Sequence, residues 1–239
     1  MNFIDILKTP RTRTFTRWKK LVTQTDKSLC RALTYEAIEG LTFKGNTIDI
    51  GGGKNNSYYH LIKFDGLVDS LNIDLKYEPT ILGDLNSDLQ IKSETYDNFI
   101  CLNTYEHILN DDKAINESFR ILKNGGHFVI SIPFLYRIHA SPFDFNRRTP
   151  YWWQMKFKEL NLDISEITIE PLVWDSLASA YFTWHSVNGG FLGKIIMLRS
   201  VFRDRKIKTR TLPRNNNNLE VTNYSLGFVI KGKKVISFN

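Results

Sequence analysis

Short apolar runs alternate with polar and glycine-rich segments along the chain, and most of these runs end in an acid or an amide. The predicted strands cover residues 47–50, 68–73, 80–84, 96–102, 127–132, 164–169 and 224–231. Residues 112–122 space apolar or small side chains as a helix with one buried face does. Strands that alternate with helices and carry polar residues at their carboxyl ends predict an α/β fold, with a ligand crevice along that edge of a parallel sheet.

A glycine-rich turn follows the first predicted strand, where Asp49 precedes Gly51, Gly52 and Gly53. Glycine-rich backbone leading from a strand into a helix exposes amides to a nucleotide-like ligand, although glycines also close ordinary hairpins. The second strand ends at Asp74, at the spacing of about 20 residues or slightly more where nucleotide-binding folds place the acid that binds ribose hydroxyls. The two features together indicate a nucleotide-like ligand.

Six motifs in order make the chain resemble a class I S-adenosylmethionine-dependent methyltransferase over roughly residues 47–148. They are TIDIGGG, NID, GDL, YDNFICLNTYEH, RILKNGGHFVISIP and FLYRIHASPFDFNRRT. The resemblance implies S-adenosylmethionine as the cofactor. It also implies a Rossmann-like, doubly wound, seven-stranded and mostly parallel sheet with helices on both faces.

The same resemblance implies which residues bind the donor. They are Asp49, Gly51, Gly52, Gly53, Asp74, Leu75, Asp84, Leu85, Asn103 and Tyr105. Asp74 is expected at the ribose hydroxyls, Asp84 at the adenine, and Asn103 beside the sulfonium.

Two departures from the family pattern are visible. Asn55 occupies the position of the third glycine, so we expect a slightly wider turn. The stretch between Asp74 and Asp84 has room for a short turn at Pro79 rather than a helix. Nicotinamide dehydrogenases share the early pattern, but their turn needs GxGxxG facing a pyrophosphate, whereas an acid before the glycines suits a sulfonium.

The segment after the fifth predicted strand carries the acceptor-side candidates. We expect His139 to be the general base, because the unperturbed pKa of histidine lies near physiological pH. Asp144 would orient that imidazole or act as the base itself, and the alternative is that Asp144 only pairs with Arg147 or Arg148 to hold the loop. The expected substrate-binding residues are Tyr136, Arg137 and Arg147.

His107 is a third catalytic candidate, since it follows Glu106 directly after the fourth strand. It would line the donor pocket or shape the acceptor side, and a structural role in capping the next loop fits equally well. Asp111 and Asp112 resemble a metal pair, but carboxylates just ahead of a helix are better explained as N-cap and first-turn residues. No metal site is predicted.

The composition suits one catalytic domain, with 239 residues of which 42% are apolar. The two cysteines, Cys30 and Cys101, form neither a disulfide framework nor a zinc motif, which favours a reducing cytoplasm. No uninterrupted apolar run approaches ~20 residues and the amino terminus lacks the central run of a secretory signal, so we expect a cytoplasmic protein without a membrane span.

The net charge of +7 is concentrated in two basic clusters. The first is Arg11, Arg13, Arg17, Lys19 and Lys20, and the second is Arg199, Arg203, Arg205, Lys206, Lys208, Arg210 and Arg214. Each is either a solvated helix face or a surface for an anionic membrane, a phosphorylated acceptor or, least favoured, nucleic acid. Because apolar residues 191–202 precede the second cluster, peripheral contact with the inner membrane face is a hypothesis beside plain core packing.

The predicted divisions are a helical, basic cap (1–45), the donor-binding core (46–170), an acceptor-side insertion with the basic run (171–220) and the final strand (221–239). The FLYRIHASPFDFNRRT segment is similar to methyltransferases of bacterial surface-polysaccharide biosynthesis. This implies O-methylation of a sugar hydroxyl in a glycan, a lipid-linked glycan or a nucleotide-sugar. The alternatives are methylation of another small metabolite or a lipid, and a binding module without turnover; the oligomeric state is left open.

Overall fold

The computed structural model describes residues 6–24, 26–140, 143–185, 190–207 and 222–237. Its strands are β1 (Thr42–Lys44), β2 (Thr47–Ile50), β3 (Lys63–Asp65), β4 (Val68–Asn72), β5 (Ile81–Leu82), β6 (Tyr96–Leu102), β7 (Leu122–Pro133), β8 (Ile167–Leu172) and β9 (Gly227–Lys233). Its helices are α1 (Phe15–Val22), α2 (Leu29–Ile38), α3 (Asp111–Ile121), α4 (Pro150–Glu159), α5 (Ser176–Trp184) and α6 (Gly190–Ile207).

Seven strands form one mixed sheet in the order β5-β4-β2-β6-β7-β9-β8. The first five of these are parallel, and β9 runs antiparallel to both β7 and β8. The predicted seven-stranded, mostly parallel sheet is therefore confirmed. The chain moves outward from β2 to β5 and then returns to β6 on the other side of β2, so the carboxyl ends of β2 and β6 flank the crevice where such sheets bind ligands.

Alternating side chains of the sheet feed two hydrophobic layers, as the two-residue period of a strand requires. In β6, Phe99 and Cys101 face a core built with α3 and α4, whereas Ile100 faces a core built with α1, α2, α5 and α6. The first core includes an edge-to-face contact between Phe99 and Phe119 with ring centroids 5.3 Å apart. Helices thus cover both faces of the sheet, as predicted.

The helix expected directly after the glycine-rich turn does not form. Within the described stretch between β2 and β4, a single 3₁₀ turn at Tyr59–Leu61 leads into β3. β3 pairs in parallel with β1 in a two-stranded sheet that the sequence did not predict. There the ring of Tyr59 packs edge to face with those of Tyr58 and Phe64, with centroids 5.4 and 5.6 Å apart, so this aromatic cluster occupies the place of the helix.

Other strands and turns begin or end at residues that differ from the predicted bounds, each for a local reason. β7 starts at Leu122, and Gly125 (φ +81) lies inside the strand at an irregular part of its pairing with β6. Residues 164–166 form a 3₁₀ turn rather than the start of a strand, because Asp163 Oδ1 accepts a hydrogen bond from Ser165 N (3.0 Å). Between Asp74 and Asp84 a short 3₁₀ turn forms in place of a helix, as expected, but it spans Leu75–Tyr77 and does not include Pro79.

The first basic cluster is largely paired within the chain. Arg11 pairs with Glu170, Lys20 pairs with Glu39, and Arg17 Nε lies 2.7 Å from Glu36 Oε1. Such ion pairs are expected if these basic side chains have a structural role on a solvated surface. They also reduce the positive charge available to an anionic partner.

The second basic cluster is described only in part. Arg199 and Arg203 are exposed on α6, while the side chains of Arg205, Lys206, Lys208, Arg210 and Arg214 lie outside the described residues. Helix α6 buries Met197 and Val201 but exposes Phe191. Of the helices in the described ranges, none combines the length and apolar character needed to cross a bilayer. Contact with a membrane surface stays a prediction.

Candidate active site

A cavity of about 1010 Å³ opens at the carboxyl ends of β2, β4 and β6. One end is lined by the glycine turn with Asn72, Asp84, Leu85 and Asn103, and the other by Glu106, His107, Tyr136, His139, Phe143 and Phe145. We call these the donor end and the acceptor end. The volume is at the upper limit of ordinary ligand sites, about 300–1,000 Å³, which leaves room for two ligands side by side.

The glycine turn keeps its carbonyl groups turned toward the protein. Asn72 Nδ2 donates to the carbonyl oxygens of both Gly51 and Gly52 (3.0 Å each). A Cβ on Gly53 would collide with the backbone carbonyl oxygen of Tyr77. The turn therefore needs glycine for close approach of two backbone segments, and it leaves a smooth wall toward the cavity.

Asp49 lies beneath this turn and is fully buried. Its Oδ2 accepts hydrogen bonds from Tyr58 OH (2.5 Å) and Asn56 Nδ2 (2.6 Å), and its Oδ1 has no partner among the described residues. Burial raises the pKa of Asp49 to about 6 against the opposing effect of these hydrogen bonds. Asp49 thus fixes the turn from behind, while Gly51, Gly52 and Gly53 line the cavity.

Asn103 occupies an unusual backbone conformation at the end of β6. Its φ is +51°, and its Oδ1 accepts a hydrogen bond from Ser131 Oγ (3.1 Å). This bend turns the following segment back toward the sheet. Tyr105 is consequently buried in the core, where its hydroxyl donates to Ser118 Oγ (2.8 Å), instead of lining the cavity as predicted.

Asp74 and Leu75 also lie outside the cavity wall, although both were predicted to bind the donor. Asp74 pairs with Lys76 at 2.7 Å, and that contact lowers the pKa of its carboxyl group. The wall at this position is formed by Asn72 and Tyr77, which sequence reasoning missed. Asn72 is the last residue of β4, and a polar residue at a strand end was the signal that could have identified it.

Glu106 is the main residue of the acceptor end that the sequence did not single out. Its side chain is 0% exposed, and neither carboxylate oxygen accepts a hydrogen bond from any described residue. Burial raises the pKa of Glu106 to about 8. His107 Nε2 and His139 Nε2 lie 3.7 and 3.9 Å from Glu106 Oε1, so the structure brings two of the three predicted catalytic residues to one carboxylate.

The third predicted catalytic residue, Asp144, is committed to holding the loop. Its carboxylate accepts hydrogen bonds from the Arg147 guanidinium (2.7 Å at Oδ2) and from His139 N (2.9 Å). The Arg147 hydrogen bond is the largest cause that lowers the pKa of Asp144 to about 2. Arg148 forms a separate bidentate pair with Asp111 (2.7 Å for both contacts).

The predicted substrate-binding residues separate into two groups. Tyr136 lines the cavity, and its ring centroid is 5.3 Å from that of His139. Arg137 is exposed and Arg147 is engaged by Asp144, and neither lines the cavity. A cationic clamp on the acceptor is therefore not formed by these two arginines in this structure.

The donor end fits a nucleoside that carries a charged sulfur. Its wall is backbone and amide, its glycines have no room for a Cβ, and the nearest buried acid, Asp49, retains an unpaired oxygen. A buried carboxylate beneath the turn disfavours a pyrophosphate and is compatible with a sulfonium. The family described as a methyltransferase domain matches residues 54–130, about a third of the chain, from the end of the glycine turn into β7.

This match over residues 54–130 supports the enzyme class expected from the sequence, an S-adenosylmethionine-dependent methyltransferase.

Two of the solved structures that share the fold of this chain are described as methyltransferases. The putative methyltransferase of Haloferax volcanii, solved in complex with the Trm112 methyltransferase activator, is 14% identical, with 92% of this chain and 95% of that chain covered and a TM-score of 0.50. A methyltransferase from Archaeoglobus fulgidus that depends on S-adenosylmethionine is 12% identical, with 86% and 92% covered and a TM-score of 0.50. No curated protein matches the chain.

S-adenosylmethionine supplies a methyl group carried on a positively charged sulfur. In this chain the residues that would hold such a donor form the wall of the donor end: the glycine turn, Asn72, Asp84, Leu85 and Asn103. The acceptor end would then receive the group to be methylated.

Proposed function

We propose that this methyltransferase methylates a hydroxyl group of a small polar acceptor, with a sugar hydroxyl of a glycan, a lipid-linked glycan or a nucleotide-sugar as the leading candidate. The observation that carries the proposal is the cluster of Glu106, His107 and His139 in the cavity wall. A hydroxyl holds its proton about as tightly as water (pKa roughly 15.7), so a base or a metal must help to remove it. A neutral amine needs no such group.

The aromatic lining supports a sugar as the acceptor. Tyr136, Phe143 and Phe145 line the acceptor end, and the rings of Phe143 and Phe145 lie 5.6 Å apart and are largely exposed. Aromatic faces pack well against apolar surfaces such as the C–H face of a sugar ring. The same residues belong to the segment that resembles polysaccharide methyltransferases.

We assign activation of the hydroxyl to Glu106, His107 and His139 together rather than to His139 alone. Both imidazoles face the same carboxylate oxygen, and burial lowers the pKa of His139, which keeps its ring neutral at physiological pH. Asp144 and Arg147 then act as positioning residues that hold the backbone of His139.

Other hydroxyl-bearing small metabolites or lipids would use the same chemistry, and they remain the second candidates. A module without turnover is disfavoured, because a pure binding site gains nothing from a buried, unpaired carboxylate, whose desolvation is costly.

The test is a product assay with purified protein and S-adenosylmethionine. One panel contains monosaccharides, nucleotide-sugars and lipid-linked glycans, and a second contains primary amines of similar size. We expect mass spectrometry to find one added methyl group on a member of the hydroxyl panel, on oxygen. Methylation confined to the amine panel would contradict the proposal.

A further inference from the structure

Glu106 poses a physical problem that its own contacts do not solve. The carboxylate is completely buried, yet it receives no hydrogen bond from the described residues, and the residue lines the cavity. A buried carboxyl group in a native protein is protonated, paired, hydrogen-bonded or bound to a metal, because an isolated ion in a low-dielectric environment costs several kcal/mol or more. The chemistry of the groups around Glu106 decides among these solutions.

His107 presents a free lone pair to Glu106. Its Nδ1 lies 2.5 Å from the backbone carbonyl oxygen of Phe143. A carbonyl oxygen can only accept, so Nδ1 carries the proton and donates it, which leaves Nε2 unprotonated in the neutral ring. That Nε2 atom is the one that lies 3.7 Å from Glu106 Oε1.

His139 repeats this arrangement with a carboxylate in place of the carbonyl. Its Nδ1 lies 3.2 Å from Asp144 Oδ2, although the ring is not aligned for a good hydrogen bond, and its Nε2 lies 3.9 Å from Glu106 Oε1. Metal-binding histidines nearly always face a carbonyl or carboxylate oxygen with the nitrogen that does not bind the metal. Both histidines therefore have the outer contacts of metal ligands.

We propose that Glu106, His107 and His139 bind one divalent transition-metal ion at the acceptor end of the cavity. One ligand atom from each residue lies within 4.8 Å of the others. Ligands at about 2.0–2.2 Å from a tetrahedral ion are about 3.3–3.5 Å from each other, so the 3.7 and 3.9 Å separations need to shorten by only a few tenths of an ångström. Two imidazoles favour zinc, copper, iron or nickel over magnesium, calcium and manganese.

Three protein ligands leave positions of the ion open, and all three residues line the cavity. In catalytic metal sites such a position takes water or a substrate oxygen. The role of the ion rests on the proposed function, whereas its binding does not. An acceptor hydroxyl on the ion releases its proton to solvent through the cavity mouth. The resulting oxygen attacks the donor methyl carbon, and the carbon–sulfur bond breaks with its electron pair left on sulfur.

Calorimetric titration of the chelator-treated protein with Zn²⁺, Mn²⁺ and Mg²⁺ tests the binding. We expect about one Zn²⁺ per chain and weaker binding of Mn²⁺ and Mg²⁺. The affinity for the ion should fall by more than about 100-fold in each of three variants, Glu106→Gln, His107→Asn and His139→Asn. Loss of a hydrogen bond to a metal ligand alone already lowers metal affinity by about 10–100-fold. His127→Asn, at an exposed position on β7, is the matched control and should bind as the wild type does.

An affinity that is the same in the wild type and in His139→Asn, or absence of binding in the wild type, would overturn the proposal. Thermal melting verifies that each variant is folded, and if Glu106→Gln is not, the two histidine variants decide the result. The product assay separates the two proposals. Ion binding lost in the variants without any hydroxyl product contradicts only the proposed function, whereas hydroxyl methylation by a protein that binds no ion contradicts only the metal site.

Discussion

The two ends of the cavity are built in opposite ways. At the donor end, the protein holds most polar groups: Asn72 holds the carbonyl groups of the glycine turn, and Tyr58 and Asn56 hold one oxygen of Asp49, whose other oxygen has no partner among the described residues. At the acceptor end, Glu106 has no hydrogen-bond partner among the described residues.

The difference separates recognition from reactivity. A donor pocket made of backbone and satisfied amides needs no rearrangement to receive its ligand, so little binding energy is lost to ordering. An acceptor pocket with a carboxylate that lacks hydrogen bonds binds a cation or a proton favourably. Such a group is useful where a proton must be transferred. Substitutions at the two ends should therefore change different measured quantities.

The largest effect is expected at the acceptor end. His139→Asn should lower turnover by about 10²- to 10⁴-fold, the range that a proton-transfer group contributes, and should leave donor affinity unchanged. Steady-state rates and calorimetry with S-adenosylhomocysteine measure the two quantities, and His127→Asn is the control. A loss of donor affinity as large as the loss of turnover would contradict the separation of donor binding and reactivity between the two ends of the cavity.

The next effect concerns pH and the donor end. Asp49 has a folded-state pKa of about 6 against 3.8 in the unfolded chain. The stability from this proton uptake is present below about 3.8 and is lost as the pH rises through about 6, an amount on the order of 3 kcal/mol at 1.36 kcal/mol per pKa unit. Urea unfolding from pH 4 to 7.5 should show this decline in the wild type, and Asp49→Asn should remove about that amount. The further decline produced by the raised pKa of Glu106 (about 8) should remain in both proteins. A decline of the same size in the variant would assign it to other groups.

A pair of glycine substitutions tests the donor wall. Gly51 and Gly125 have nearly identical φ values of +82 and +81, so alanine at either costs about 1–2 kcal/mol in backbone strain. Only at Gly51 does the new Cβ collide with the side chain of Thr104 in the cavity wall, whereas at Gly125 the nearest atom, in Lys233, is 3.8 Å away.

Gly51→Ala should therefore weaken S-adenosylhomocysteine binding by about 10-fold or more, equivalent to about 1.4 kcal/mol. Gly125→Ala should lower the melting temperature and keep normal affinity. Equal affinities for the two variants would show that the turn does not contact the donor.

The smallest effect should come from the hydroxyl groups beneath the turn. Tyr58→Phe removes the 2.5 Å hydrogen bond to Asp49 and should destabilise the fold by about 1 kcal/mol. Tyr59→Phe removes a longer bond, 3.2 Å to Gly53 O, and should cost less. Chemical denaturation measures both, and a larger loss in Tyr59→Phe would reverse the order that the geometry predicts.

The contrast also explains what could be predicted from the sequence. The donor end is local: β2, its acid and its glycines are consecutive, and period and composition identify them. The seven-stranded sheet could be predicted from the sequence because each of its strands has its own apolar run. The positions of Asp74 and Tyr105 could not be predicted from the sequence. The contact with Lys76 holds Asp74 away from the cavity, and the positive φ of Asn103 directs Tyr105 away from it.

The acceptor end could not be predicted from the sequence in the same way. Glu106 and His139 are far apart in the sequence and meet only because the loop after β7 folds back over the end of β6. Whether an acid is buried or unpaired depends on this tertiary contact, so Glu106 looked like an ordinary neighbour of His107. The missing helix after the glycine turn has a similar cause, since aromatic packing around Tyr59 decided it.

The most direct measurement is a crystal structure of the complex with S-adenosylhomocysteine. The account predicts that the homocysteine part lies against Gly51–Gly53 and that the sulfur faces Glu106, His107 and His139 across the space left for the acceptor. A product bound elsewhere, or with its sulfur turned away from these three side chains, would contradict it.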